Sequence, residues 1–233
     1  SQPGDDVNGV HAKGGYSTYL LSGMDTNYYF GIRRYPYSPD MSKSPLTFKD
    51  IDPTQASPHT GIPLSPRYGG VSNGNPAQVH AQGETWCNML WEMRRNLVIK
   101  HGHAVGNQLA LQLVIDGMKL SPANPNFVQA RDGIIQADVV NNAGANLDEM
   151  WAGFAKRGLG FSATSPASST TNGVVESFDV PDDLFVTPNG VSSTVATRLS
   201  GPIEPSVHVY TLNNTGAVAI PWTAAKTQPW ISL

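Results

Sequence analysis

The sequence predicts a mainly α fold: a helical lobe, preceded by a long ordered loop region and followed by a partial β-sandwich. Three observations carry that prediction. Nine of the 18 prolines fall in residues 1–76, and none occurs from 77 to 121 or from 126 to 165. A proline inside a helix costs ~3 kcal/mol, so long helices belong in those two gaps. Within the gaps apolar residues recur at steps of three and four, the period of a helix, whereas past residue 182 they alternate in short runs. Hydrophobic residues make up 39% and charged residues only 14%, a composition suited to a packed core rather than a disordered chain.

Residues 1–76 are punctuated every few positions by Gly14-Gly15, Pro36, Pro39, Pro53, Pro58, Pro63, Pro66 and Gly69-Gly70. A short helix over Tyr16 to Gly23 is expected, and the remainder reads as ordered loop. A loop region of that length inside a compact unit is more often functional than decorative.

Val79 to His101 forms the first long helix, with Trp86, Leu90, Met93, Leu97 and Val98 as its apolar stripe and Gly102 as its stop. Gly106 to Leu120, carrying Leu109, Leu113 and Met118, is apolar on most sides and reads as a helix buried within a bundle. Asn124-Pro125 opens a third, with Asn124 as N-cap, Pro125 at the first helical position and Phe127, Ala130, Ile134 and Ala137 as its stripe. Asn146-Leu-Asp-Glu149 resembles a capping box for a fourth, bearing Leu147, Met150, Trp151 and Phe154. Lys156 and Arg157 suit its negative end, and Gly158 terminates it.

Ser162 to Asn172 reads as a linker or surface loop, and Ser177 to Pro181 as a closing strand. Two domains follow, 1–181 and 182–233. In the second, Val207 to Leu212 and Ala217 to Ile220 read as strands around a turn at Asn213-Asn-Thr-Gly216. That phrase resembles the opening strands of a bacterial immunoglobulin-like sandwich, which needs ~100 residues and would be incomplete here.

The net charge of −3, with no basic run, argues against nucleic acid as a partner. No apolar run approaches the ~20 residues of a membrane span. Cys87 is the only cysteine, so no intrachain disulfide forms. Ser1-Gln-Pro-Gly4 has neither the basic nor the apolar region of a signal peptide, and the chain reads as a fragment.

Catalytic motifs are sparse. There is no phosphate-binding Gly-rich loop, and none of His11, His59, His80, His101, His103 and His208 is followed by Glu, which excludes H-E-x-x-H. Cys87 is either a buried structural thiol or a nucleophile. His101-Gly-His103 is either a helix C-terminus or a metal site. His80 and Glu84, one helical turn apart, make a metal pair only with a third ligand such as His59. Arg33-Arg34 and Tyr35-Pro-Tyr37 pass for a solvated patch.

Four phrases in order go further: Tyr29-Phe-Gly-Ile-Arg-Arg-Tyr-Pro-Tyr-Ser38, Val79-His-Ala-Gln-Gly-Glu-Thr-Trp86, Asn124-Pro-Asn-Phe-Val-Gln-Ala-Arg-Asp132 and Trp151-Ala-Gly-Phe-Ala-Lys-Arg-Gly-Leu-Gly160. Over about residues 4–181, the chain resembles the C-terminal lobe of the fungalysin family of secreted, extracellular zinc metallopeptidases, relatives of thermolysin. The resemblance implies the helical lobe of a thermolysin-like fold, protein or peptide substrates and zinc as cofactor. The zinc ligands and catalytic Glu would lie upstream, in the N-terminal half of the peptidase domain, so this chain alone would be inactive.

Residue by residue, the resemblance makes His80 the donor to the oxyanion of the tetrahedral intermediate. It makes Arg33 the holder of the carbonyl after the scissile bond, and Ile32 a wall of the apolar specificity pocket. Asn75 stands five residues before His80, where thermolysin has an Asp that orients the imidazole. The alternative is a secreted, non-catalytic binding or scaffold protein that reuses the lobe.

Overall fold

The computed structural model describes residues 2–13, 28–56, 59–66, 74–181, 184–187, 209–214 and 222–226. The chain divides into two units, Ser1–Val180 and Pro181–Leu233. The helix expected over Tyr16 to Gly23 and the strand expected over Ala217 to Ile220 lie outside the described residues.

In the first unit, α1 (Val79–His101) starts where the Gln78 side chain accepts the His80 N–H, and ends at Gly102, whose φ of 79° favours glycine. Its bounds are those the sequence predicts. α2 (His103–Leu120) follows at once, three residues earlier than expected, because Gly102 serves both helices. α3 (Phe127–Asn142) is capped by Asn126 rather than Asn124: Asn126 and Gln129 form a reciprocal capping box, while Asn124 sits at φ 56° outside the helix. α4 (Leu147–Lys156) begins after Asn146, whose side chain does not cap it. That carboxamide instead donates to Asp138 at 2.7 Å and accepts from the His101 ring at 2.6 Å.

α1 packs against α4 and α2, and α2 against α3. Met89, Met93, Leu97, Leu113, Ile134, Met150 and Phe154 form the centre of the core, joined from the loop region by Phe48 and Ile51. Two crossings depend on glycine. A Cβ on Gly153 would lie 2.6 Å from the Met93 backbone nitrogen, and one on Gly117 would lie 2.7 Å from the Ile134 Cα. The bundle-buried reading of α2 is corrected: Gly106, Ala110, Leu113 and Gly117 are buried, but Val105, Leu111, Ile115 and Met118 are exposed. α2 packs on one side only.

Residues 28–56 are turns and extended segments with one 3-10 turn, Phe48–Ile51, which Thr47 and Asp50 close. Segment 158–180 folds back onto this unit. The Gly173 N–H donates to Asp52, and Lys49 donates its backbone N–H to Glu176. Pro166 and Ser168 accept from Asn126 and Asn124, so of the two readings 162–172 is the surface loop. Residues 177–181 form no strand; Leu159 and Ser177 make an isolated parallel bridge.

Arg157 does more than complement a helix end. Fully buried, it donates to Glu92 at 2.9 and 2.6 Å and to the carbonyls of Ser38 (2.6 Å), Ser44 and Leu46 (3.2 Å). Lys156 reaches the other Glu92 oxygen at 3.0 Å. The pair thus ties α1, α4 and the loop region together.

The second unit holds β1 (Leu184–Thr187) antiparallel to β2 (Thr211–Asn214), in the register Leu184 to Asn214 through Thr187 to Thr211. Asn213 and Asn214, expected in a turn, lie in a strand. Among the described residues their partner strand is 184–187.

Candidate functional site

The first turn of α1 and the segment 32–37 build the site. Gly31 takes a positive φ of 57°, which turns the chain so that Ile32, Arg33 and Arg34 follow in three different environments. Ile32 is buried. Arg34 is buried too, its Nε 3.0 Å from Glu84 Oε2 and its Nη2 donating to the Ala81 carbonyl at 2.9 Å and to Thr85 Oγ1 at 3.1 Å. Glu84 also accepts the backbone N–H groups of Arg34 (3.0 Å) and Tyr35 (2.9 Å). A solvated Arg33–Tyr37 patch is thereby corrected. A buried carboxylate needs a cation and hydrogen-bond donors, and Arg34 with two backbone amides supplies both.

Arg33 is half-buried, and its Nη1 donates to the carbonyl of His80 at 2.5 Å. A Cβ on Gly83 would lie 4.0 Å from Arg33 Nη2, so the guanidinium runs along the bare edge of the α1 first turn. His80 is exposed at that same turn, its backbone N–H held at 2.7 Å by Gln78. Arg33 and His80, 47 residues apart in sequence, are thus brought together. Asn75 does not take the orienting place: its Oδ1 accepts the Ala77 N–H at 2.9 Å in its own turn.

Beside Arg33 lies a cavity of about 290 Å³ lined by Lys13, Ile32, Arg33, Tyr37 and Cys87. Segment 11–13 reaches it by pairing with residue 37, His11 N–H to the Tyr37 carbonyl at 2.8 Å and Tyr37 N–H to the His11 carbonyl at 2.9 Å. The Tyr37 ring stacks on Trp91 of α1, with centroids 4.9 Å apart. Lys13 Nζ lies 3.1 Å above the Tyr37 ring. Burial lowers the Lys13 pKa to about 7, against the pull of Glu84 and Cys87. Burial, then the neighbouring Cys87, pushes the Tyr37 hydroxyl well above its usual range. Cys87 is half-buried beside that hydroxyl and lines the cavity, so it is not the fully buried thiol of the structural reading.

Among the described residues no three His, Cys, Asp or Glu side chains gather as metal ligands. Glu84 is engaged by Arg34, and His59 by Asp50 at 3.0 Å, so the His80–Glu84–His59 site does not form. His101 ends α1 and bonds Asn146, which favours the helix-terminus reading over a metal site. The residues described here do not fit a zinc ion.

Lys13 has no role read from the sequence, and Arg34, Tyr37 and Glu84 are read there as a solvated patch and a metal-ligand candidate rather than as a buried ion pair and its neighbour. One signal was available: Glu84, Asn88 and Glu92 recur at four-residue steps on one face of α1 among its apolar stripe, and buried carboxylates demand cations. Nothing in the sequence around Lys13 marks it.

The class of protein follows from comparison with known sequences. The chain is 40% identical over 160 residues to extracellular metalloproteinase 1 of Trichophyton equinum, a match covering 63% of this chain and 22% of that protein. It is 38% identical over 177 residues to extracellular metalloproteinase mep of Aspergillus terreus, covering 70% and 24%. Extracellular metalloproteinase MEP of Neosartorya fischeri is 40% identical over 158 residues, covering 62% and 22%. The chain therefore spans less than a quarter of the length of these relatives. The family model for fungalysin metallopeptidase (M36) matches residues 10–163, and the chain belongs to that family.

Proposed function

We propose that residues 1–181 are the substrate-positioning lobe of a secreted zinc metalloendopeptidase, with the zinc ligands and catalytic Glu upstream in the full-length protein and an immunoglobulin-like module over 182–233. Support for an upstream metal site comes from the short coverage of the relatives and the lack of a fitting ligand set among the described residues. The observation that carries the reading is the juxtaposition of Arg33 and the exposed His80 on one helical turn.

His80 offers a ring N–H to an oxyanion forming at the attacked peptide carbonyl. A donor aimed at charge that appears only in the transition state lowers the barrier without tightening ground-state binding. Arg33, steadied by the His80 carbonyl, presents its remaining guanidinium hydrogens to the carbonyl of the following residue and fixes the peptide's register. In the full-length protein, His80→Ala should lower kcat by about 10²–10³ with little change in KM. Arg33→Ala should raise KM more than it lowers kcat. Unchanged kcat in His80→Ala would refute the assignment. A full-length gene without H-E-x-x-H would replace it with the non-catalytic binding protein.

A further inference from the structure

We propose that Glu84 is the positioning residue for Arg33: its carboxylate sets where the Arg33 guanidinium stands on the first turn of α1. This rests on the reading of Arg33 as the group that holds the peptide, and extends it to the residue through which that group is placed.

Glu84 is buried one turn beyond His80 on α1. Both of its oxygens are spent on the segment that follows Arg33. Oε2 accepts the Arg34 backbone N–H and Nε, each at 3.0 Å, and Oε1 accepts the Tyr35 N–H at 2.9 Å. One helix side chain thus grips two consecutive backbone amides. Hydrogen bonds to an ionised acceptor are about twice as strong as neutral ones, and two amides fixed in sequence leave the chain no freedom to slip by a residue. An ion pair alone does not need this geometry. Arg34 could neutralise Glu84 through its guanidinium from several directions, whereas the amide bonds demand that residues 34 and 35 lie where they do.

The two arginines then take consecutive carbonyls of the turn, Arg33 Nη1 that of His80 at 2.5 Å and Arg34 Nη2 that of Ala81 at 2.9 Å. Each carbonyl oxygen has a second lone pair to give. The Arg33 bond is exposed, while the Glu84 bonds are buried. A long side chain tied at one exposed point keeps most of its freedom unless its own backbone is fixed. Glu84 fixes that backbone one residue away, so a peptide meets a guanidinium already placed beside His80.

A mutant cycle on peptide hydrolysis by the full-length protein tests this. Glu84→Asp keeps the charge opposite Arg34 but draws the carboxylate back from the amides by one methylene. Glu84→Gln keeps the shape but turns an NH2 toward an amide donor; where it does not fold by circular dichroism, Glu84→Asp carries the cycle. Each should raise KM about tenfold with a smaller loss of kcat, the pattern expected of Arg33→Ala. In the Arg33→Ala background the same changes should add less than about twofold, because the group they displace is already gone. Asp52→Asn, which loosens the loop region without touching Arg33 or Glu84, should leave KM unaltered. KM effects that multiply in the double variants, or an unchanged KM in the folded Glu84 variants, overturn the positioning role and leave the peptidase reading standing. A full-length protein that cleaves nothing, or an Arg33→Ala variant with unaltered kinetics, removes the peptide-holding reading and this role with it.

Discussion

Replacing Glu92 by Met would leave the Arg157 guanidinium fully buried with no counter-charge. At present Glu92 Oε1 receives both Nε and Nη2 of Arg157, and Oε2 receives Lys156. Burial already pulls the Arg157 pKa below its ordinary value, with the Glu92 charge acting against that pull. Breaking a buried pair from one side costs about 3–5 kcal/mol, because the remaining ion keeps its desolvation penalty. For a chain of this size each kcal/mol moves Tm by about 2–4 °C, so Glu92→Met should melt about 6–20 °C lower. Arg157→Met should cost at least as much, since the carbonyls of Ser38, Ser44 and Leu46 would lose their donor. The double variant should cost less than the sum of the two, as neither a buried guanidinium nor a buried carboxylate is then left without its partner, and the half-exposed Lys156 keeps the Pro39 carbonyl. Tryptophan fluorescence during urea unfolding reads all three, with Trp86, Trp91 and Trp151 in the affected unit. A loss below about 1 kcal/mol in Glu92→Met, or strict additivity, would refute the account.

Three further outcomes follow from the same structure. Gly153→Ala should lower Tm by several degrees, about 1–3 kcal/mol of overpacking, because its Cβ meets the Met93 backbone rather than a movable side chain; an unchanged melting curve would show that α1 and α4 separate freely. Burial alone would raise the Asp52 pKa, but donors from Gly173, Gln55 and Thr54 outweigh it and bring it to about 2. A depressed folded-state pKa stabilises above the unfolded value near 4 and is lost as pH falls from about 4 to about 2, so stability should drop across that window and the drop should shrink in Asp52→Asn, measured by urea midpoints. Asn146→Ala should destabilise by about 1–3 kcal/mol although it caps no helix, since Asp138 and His101 lose a buried partner; a loss of only a few tenths in calorimetry would return Asn146 to an ordinary surface cap.

Local chemistry was legible wherever one segment supplied all its own determinants. α1 is recovered end to end because the proline gap, the 3.6-residue apolar stripe and Gly102 agree. The α3 cap differs by two residues because Asn124-Pro125 offers a cap-and-proline start that Asn126-Phe127 lacks, and only the Asn126–Gln129 box decides for the latter. The α2 surface misled for another reason: periodicity says which residues are apolar, not whether a neighbour covers them. In the candidate site, resemblance alone singles out His80 and Arg33. Their contact joins a helix to a turn-rich segment that has no period to read. Arg34 and Glu84, 50 residues apart, are the same case. The carboxylates on the α1 core face announce that cations must come, but not from where.

The knot around Arg157 also sets an order of events. Its acceptors at Ser38, Ser44 and Leu46 lie 111 to 119 residues earlier in the chain. During synthesis the segment carrying Ile32, Arg33 and Arg34 leaves the ribosome long before α4 does. Until Arg157 arrives, those carbonyls keep their water and Glu92 waits without its guanidinium. Closure of so long a loop is entropically costly and is rewarded only when the distant contact forms. The ground beside Ile32 and Arg33 is thus completed by one of the last-made parts of the unit. A chain stopped before residue 157 would carry Arg33 and His80 in its sequence yet lack the clasp that steadies the loop between them.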